Sequence, residues 1–286
     1  MTFDFIPLRL DFVARSPVRF PVGMPANILR GGFGITLKRI ASSEIYSRIF
    51  EPKLPGGPSG LADAPRPFAF RARHLDGRLI APGECFHFDV NIFDVRDDAV
   101  SCFTQVFSEL ARQGLGPTRG RAELTGADGI LQRLRLEPAP DPVAQIRIEF
   151  LTPTELKSNA QIAERPEFPI LLGRIRDRIS TLRAIYGSGP LAIDFGAMGE
   201  RAGGVKLTRC DITPVALERR SSRTGQTHPI GGFIGSAEYK GELAEFVPYI
   251  EAARWIGVGR HTAWGKGEIQ VDACYSGVLN STPRSP

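Results

Sequence analysis

The segment Gly257-Val258-Gly259-Arg260-His261-Thr262-Ala263-Trp264-Gly265-Lys266-Gly267 alternates four glycines with two cations, an imidazole and an indole. Glycine takes positive φ and lets the backbone approach a ligand closely, so amides in such a loop can face an anion. Arg260 and Lys266 carry charge suited to phosphate, and Trp264 offers a face on which a base can stack. Gly257, Gly259, Arg260, Trp264, Gly265, Lys266 and Gly267 are therefore candidate contacts to a nucleic acid. A plain tight connection into the strand expected at 268–273 would need the glycines, but neither the cations nor the indole.

Proton transfer near neutral pH suits histidine, and the chain has four. His261 lies inside the glycine-rich loop. His228 lies between the basic run Arg219-Arg220-Ser221-Ser222-Arg223 and the pair Gly231-Gly232. His87 sits between Phe86 and Phe88 and reads as a strand residue, whereas His74 precedes a turn and reads as solvated. Arg219, Arg220 and Arg223 are expected in a loop, where binding residues concentrate. Arg174, Arg176 and Arg178 alternate along a helix, so they diverge and cannot share one phosphate track. Tyr46 either orients a nucleophile or packs before Phe50. Lys38 and Arg39 either meet a polyanion or form the wet side of an amphipathic helix.

The elements that must position these groups follow from periodicity. Phe3, Phe5, Leu8, Leu10 and Phe12 alternate as a strand over 3–14. Pro25 suits a first helical turn, and Leu29, Phe33, Leu37 and Ile40 recur at helical spacing. Gly31, Gly32 and Gly34 inside that helix each cost about 1 kcal/mol relative to alanine, which implies close packing or a nearby ligand. A Pro/Gly-rich excursion runs from Glu51 to Pro67. Strands follow over 66–73 and 84–93, then a helix on Cys102, Phe103, Val106, Phe107 and Leu110, and a strand or hairpin over 121–136. Pro138-Ala139-Pro140-Asp141-Pro142 is the expected domain boundary. The order then repeats: a strand at 145–151, a helix on Ile170, Leu171, Ile175, Ile179 and Leu182, strands at 205–212 and 230–239, a helix on Leu243, Phe246, Val247 and Ile250, and the last strand. Each half reads β-α-β-β-α-β, an α+β class of tandem ferredoxin-like domains. The expected domains are 1–138 and 144–275, with 276–286 a disordered tail.

With 286 residues, 42% hydrophobic and 23% charged, the chain has a globular composition. A net charge of +5 favours polyanionic partners. No apolar run approaches the roughly 18 residues of a membrane span, and no signal peptide is visible, so cytoplasm is the expected compartment. Cys85, Cys102, Cys210 and Cys274 lack zinc-ligand spacing and are expected to be buried thiols.

Several linked motifs resemble the CRISPR precursor-RNA processing endoribonucleases of the RAMP (repeat-associated mysterious protein) superfamily. They are Pro25-Ala26-Asn27-Ile28-Leu29-Arg30-Gly31-Gly32-Phe33-Gly34, Phe50-Glu51-Pro52, Phe150-Leu151-Thr152-Pro153-Thr154, Ile230-Gly231-Gly232-Phe233-Ile234-Gly235, Tyr239-Lys240-Gly241 and the glycine-rich loop. The resemblance implies binding of a CRISPR repeat and a single cut in the precursor transcript. It implies 2′-hydroxyl attack with no metal or other cofactor, leaving a 2′,3′-cyclic phosphate and a 5′-hydroxyl. Its implied partners are the repeat RNA and other CRISPR effector subunits, with no membrane. Many relatives carry a catalytic histidine on or just after the first helix, but residues 24–50 here contain none. Tyr46 and Lys38 are the expected catalytic residues, with His261 or His228, and Arg30 and Arg39 join the RNA-binding set. A non-cleaving RNA-binding subunit of the same superfamily is the alternative.

Overall fold

Alternate burial along β1 (Thr2–Ala14) changes phase once, and that change organises the molecule. Phe3 and Phe5 are buried on one face, whereas Ile6, Leu8, Leu10 and Phe12 are buried on the other. Successive strand residues point to opposite faces, so one strand feeds two cores. Phe3 and Phe5 join the core of the C-terminal half, and Ile6 onward the core of the N-terminal half. The computed structural model describes residues 1–52, 64–96, 98–158, 161–216, 218–220, 227–229 and 231–275. Most of the Pro/Gly-rich excursion (53–63) and the expected tail (276–286) lie outside the described residues.

The N-terminal half continues with β2 (Val18–Arg19), α1 (Pro25–Ile40), α2 (Ser43–Ile49), β3 (Phe68–Arg71), β4 (Leu79–Ile80), β5 (Cys85–Ile92), α3 (Asp98–Gln113), β6 (Ala122–Gly129) and β7 (Gln132–Arg135). Its sheet runs β3-β5-β1-β6 with antiparallel neighbours, while β2 and β4 form a separate ribbon. Of the two forms expected over 121–136, the strand is found and the hairpin is not. Both β6 and β7 run antiparallel to β1, and residues 126–129 of β6 share the register of β7, pairing Leu8 with Gly129 and Phe5 with Gln132, before a shift between Asp11 and Phe12. The pairing lapses opposite Ile6 and Pro7, and Pro7 has no N–H to give.

The C-terminal half comprises β8 (Val143–Thr154), β9 (Lys157–Ser158), β10 (Gln161–Ile162), α4 (Phe168–Tyr186), α5 (Phe195–Gly203), β11 (Lys206–Val215), β12 (Glu218–Arg220), β13 (Thr227–Pro229), β14 (Gly232–Lys240), α6 (Val247–Ile256) and β15 (Ile269–Tyr275). Its sheet runs β11-β14-β8-β15. In both halves the spatial order is second, third, first, fourth strand, the ferredoxin-like arrangement expected from the element order. Helices α2 and α5 were not expected. Each has a visible starting signal: Ser42 Oγ accepts from the Ile45 amide at 3.3 Å, and Asp194 Oδ1 from the Ala197 amide at 3.0 Å.

On α1, Leu29, Phe33 and Leu37 are buried as their spacing requires, but Ile40 is exposed. Phe33 stacks on Phe103 at 4.5 Å, tying α1 to α3. Two of the three helix glycines mark close packing: a side chain at Gly34 would meet the Phe50 ring at 2.2 Å, and one at Gly32 would meet Leu110 at 2.8 Å. Gly31 faces open space. The thiols differ from expectation, since Cys85 is exposed and Cys102 and Cys210 are half-buried. Among the described residues, no helix is long and apolar enough to cross a membrane.

Candidate nucleic-acid interface

Helix α6 delivers the glycine-rich loop, and three side chains fix where that helix ends. Arg71 donates to the Arg254 and Trp255 carbonyls at 3.0 and 2.8 Å, and Asn91 to the Trp255 carbonyl at 2.8 Å. Arg178, from α4, donates to the Ile256 carbonyl at 3.2 Å. The last carbonyls of a helix have no intrahelical partner and carry partial negative charge, so guanidinium groups suit them. Burial lowers the Arg71 pKa, and burial with the charge of Arg71 lowers Arg178 to about 10. Sequence reasoning missed Arg71 and Asn91, because strand spacing says nothing about a helix from the other half. It foresaw that Arg174, Arg176 and Arg178 diverge: Arg176 instead donates to the Phe195 carbonyl at 2.6 Å.

The loop itself folds back on β8. The Val258 amide donates to the Gly267 carbonyl at 2.8 Å, Gly267 to Pro153 at 3.1 Å, and Arg260 to Glu155 at 3.0 Å. These amides face carbonyls of the protein. His261 takes left-handed backbone (φ 64), an uncommon conformation for a residue with a side chain. Gly265 (φ 73) presses on α1, where a side chain would meet the Ala26 Cβ at 2.4 Å.

That docking brings together residues far apart in sequence. The His261 and Trp264 rings lie parallel at 4.5 Å. The buried Arg30 guanidinium lies 5.1 Å from the Trp264 ring and 4.7 Å from the Phe50 ring. Phe50 is 5.6 Å from Tyr46, and the exposed Lys38 ammonium is 5.7 Å from the Tyr46 ring. Tyr46 Oη donates to Glu51 Oε1 at 3.2 Å. A cation over an aromatic face gains about 0.5–1 kcal/mol when exposed and about 2 when desolvated, so Arg30 is the stronger clasp. His261, Trp264, Arg30, Phe50, Tyr46 and Lys38 thus form one continuous row, with its cationic end in solvent.

Other candidate residues are placed differently. Arg260 pairs with the buried carboxylate of Glu155, and Arg39 with Glu109 at 3.0 Å. Arg219 and Arg220 stand on β12 rather than in a loop, opposite His228 and Thr227 of β13. Arg223 lies outside the described residues. His74 and His87 stack on each other at 4.4 Å on the N-terminal half, with His74 Nε2 2.8 Å from the His87 carbonyl. Beside the loop, a cleft of about 260 Å³ opens between the halves, lined by Pro25, Ala26, Arg73, Pro153, Trp264 and Lys266 among others.

Fold and loop together define a tandem ferredoxin-like protein whose glycine-rich loop is clasped to its first helix. Residues 148–269 match the family model of the CRISPR-associated endoribonuclease Cas6, and residues 3–138 match a model described as an N-terminal domain. No curated protein matches the chain. Among solved structures it resembles Cas6 (TTHB231) from Thermus thermophilus in a product complex, 17% identical with a TM-score of 0.61, covering 93% of this chain and 99% of that one. It also resembles a Cas6 (TTHA0078) product complex, 18% identical over 94% of this chain and 100% of that one, with a TM-score of 0.58. A RAMP protein binding different RNA substrates is 10% identical over 93% and 99%, with a TM-score of 0.51. The C-terminal half thus carries the Cas6 endoribonuclease domain, and the whole chain has the double ferredoxin-like fold of these solved proteins.

Proposed function

We propose that the protein binds CRISPR repeat RNA and cuts precursor transcripts into guide RNAs without a metal ion. The observation that carries this reading is the match of residues 148–269, the loop included, to the Cas6 endoribonuclease model. The solved relatives in product and substrate-mimic complexes support it. Residues 1–138 and 144–275 act as two modules that hold one RNA, with Arg219, Arg220 and Arg223 adding charge along its path.

Cutting uses the ribose 2′-hydroxyl. As O2′ bonds to phosphorus, its proton leaves to a base, the P–O5′ bond breaks, and O5′ takes a proton. The ends are a 2′,3′-cyclic phosphate and a 5′-hydroxyl. In the absence of a histidine on the first helices, the hydrogen-bonded pair Tyr46–Glu51 takes the proton, and the Lys38 ammonium faces the charge that builds on the non-bridging phosphoryl oxygens. His261 and His228 are the remaining candidates for the acid at O5′.

Incubation of the protein with its repeat RNA in chelator should yield one discrete cut ending in a cyclic phosphate. Tight binding with no cut would instead fit the non-cleaving subunit. Tyr46→Phe should slow single-turnover cleavage by about a hundredfold while leaving binding unchanged. An unaltered rate would remove Tyr46 from the chemistry.

A further inference from the structure

Lys266 is the one lysine among the described residues that is buried, at 5% exposure, and its ammonium makes no ion pair or hydrogen bond among them. It lines the cleft between the halves rather than a closed core. Burial of an unpaired ammonium is costly, so its placement there asks for an anion. The surroundings are prepared for one. Helix α1 starts at the same cleft with no side-chain cap and no acidic residue in its first turn. At this start Pro25 has no N–H and the Ile28 amide donates to the Met24 carbonyl at 3.0 Å, which leaves the Ala26 and Asn27 amides without an intrahelical partner and with partial positive charge. Arg73, whose contact with Glu268 is a loose 3.9 Å, adds a second cation. The one carboxylate on the cleft wall, Asp76, already accepts from the Gly23 amide at 2.5 Å.

Apart from Thr152, whose hydroxyl accepts from the Glu268 amide at 2.9 Å, the remaining side chains of the wall are apolar or aromatic, including Pro25, Pro153 and Trp264. At about 260 Å³ the cleft falls just below the range of roughly 300–1,000 Å³ for ordinary ligand pockets, too small for a helix of RNA. We propose that this cleft takes a single unstacked nucleotide of the bound RNA, with its phosphate on Lys266 and the first turn of α1 and its base against the apolar wall. The inference rests on the RNA-binding reading and deepens it. The nucleotide seated here lies at the Trp264 end of the row, away from Lys38 and Tyr46, and so anchors the strand instead of being cut.

The wild-type protein tests this by competitive acylation of its lysines, read by mass spectrometry, with and without single-stranded repeat RNA or inorganic phosphate. RNA at ten times its Kd should slow acylation of Lys266 about tenfold, with the exposed Lys206 and Lys240 changed little. Lys266→Met should also flatten the log–log salt dependence of RNA binding by about 0.7, the value for one phosphate of a single strand, and Lys266→Arg should restore it. RNA binding that leaves Lys266 fully reactive, or a Lys266→Met slope equal to wild type, would overturn the site and spare the RNA function. Protection by inorganic phosphate in a protein that binds no RNA would keep the anion site and remove that function.

Discussion

Single side chains in this molecule do two kinds of work, and their burial separates them. Arg30 turns its charge inward between two rings, whereas Lys38, at the far end of the same row, turns its charge to solvent. Lys266 is intermediate: buried, but at the wall of an open cleft. Burial lowers its pKa from the ordinary lysine value, opposed by the charge of Asp76. The unfolded chain therefore holds the proton more tightly, and in the window between the lowered and the ordinary value stability rises with pH. Below that window the full penalty of a buried ammonium is present. A bound phosphate reverses the preference by favouring the charged form. RNA affinity should accordingly be flat below the lowered pKa and fall as pH rises through it, with proton uptake on binding. Titrations in several buffers of different ionisation enthalpy check this, and affinity independent of pH up to the ordinary lysine range would remove Lys266 from the interface.

At the scale of elements, the contact between loop and helix decides whether the row exists. Gly265 has φ 73 and no room for a side chain against Ala26. Gly265→Ala combines left-handed strain of about 1 kcal/mol or more with a clash that pushes the loop off α1. The expected result is a lower Tm and weaker RNA binding, with far-UV circular dichroism unchanged because the strands and helices are untouched. Gly31→Ala is the matched control: nothing lies within 4 Å of the added carbon, and the helix gains about 1 kcal/mol in propensity. Equal behaviour of the two variants would mean that the docking seen here does not matter to binding.

For the whole molecule, the two halves are joined through β1 and the end of α6. Phe5 is fully buried and packs on Trp255 at 4.8 Å, while Arg71 and Asn91 hold the neighbouring carbonyls. Phe5→Ala should cost about 3–5 kcal/mol, and much of that loss falls on the junction. Denaturation followed by tryptophan fluorescence and by circular dichroism should coincide in the wild type and separate in the variant. A single shared transition in Phe5→Ala would show that the halves are coupled by other contacts.

Period-two and helical spacing in the sequence were enough to place most strands and helices, because burial of one face needs only local alternation. The repeated element order then implied both sheets, and the glycine-rich motif pointed to the loop. What no spacing conveys is which distant residues meet. The phase change at Phe5 and Ile6 is visible as two adjacent apolar residues, but only packing shows that they serve different cores. Arg30 and Lys266 read alike as cations for RNA, yet one is clasped between rings and the other lines the cleft between the halves. Charge is a property of the residue type, readable in the sequence, whereas the partner of that charge depends on how the two halves close upon each other.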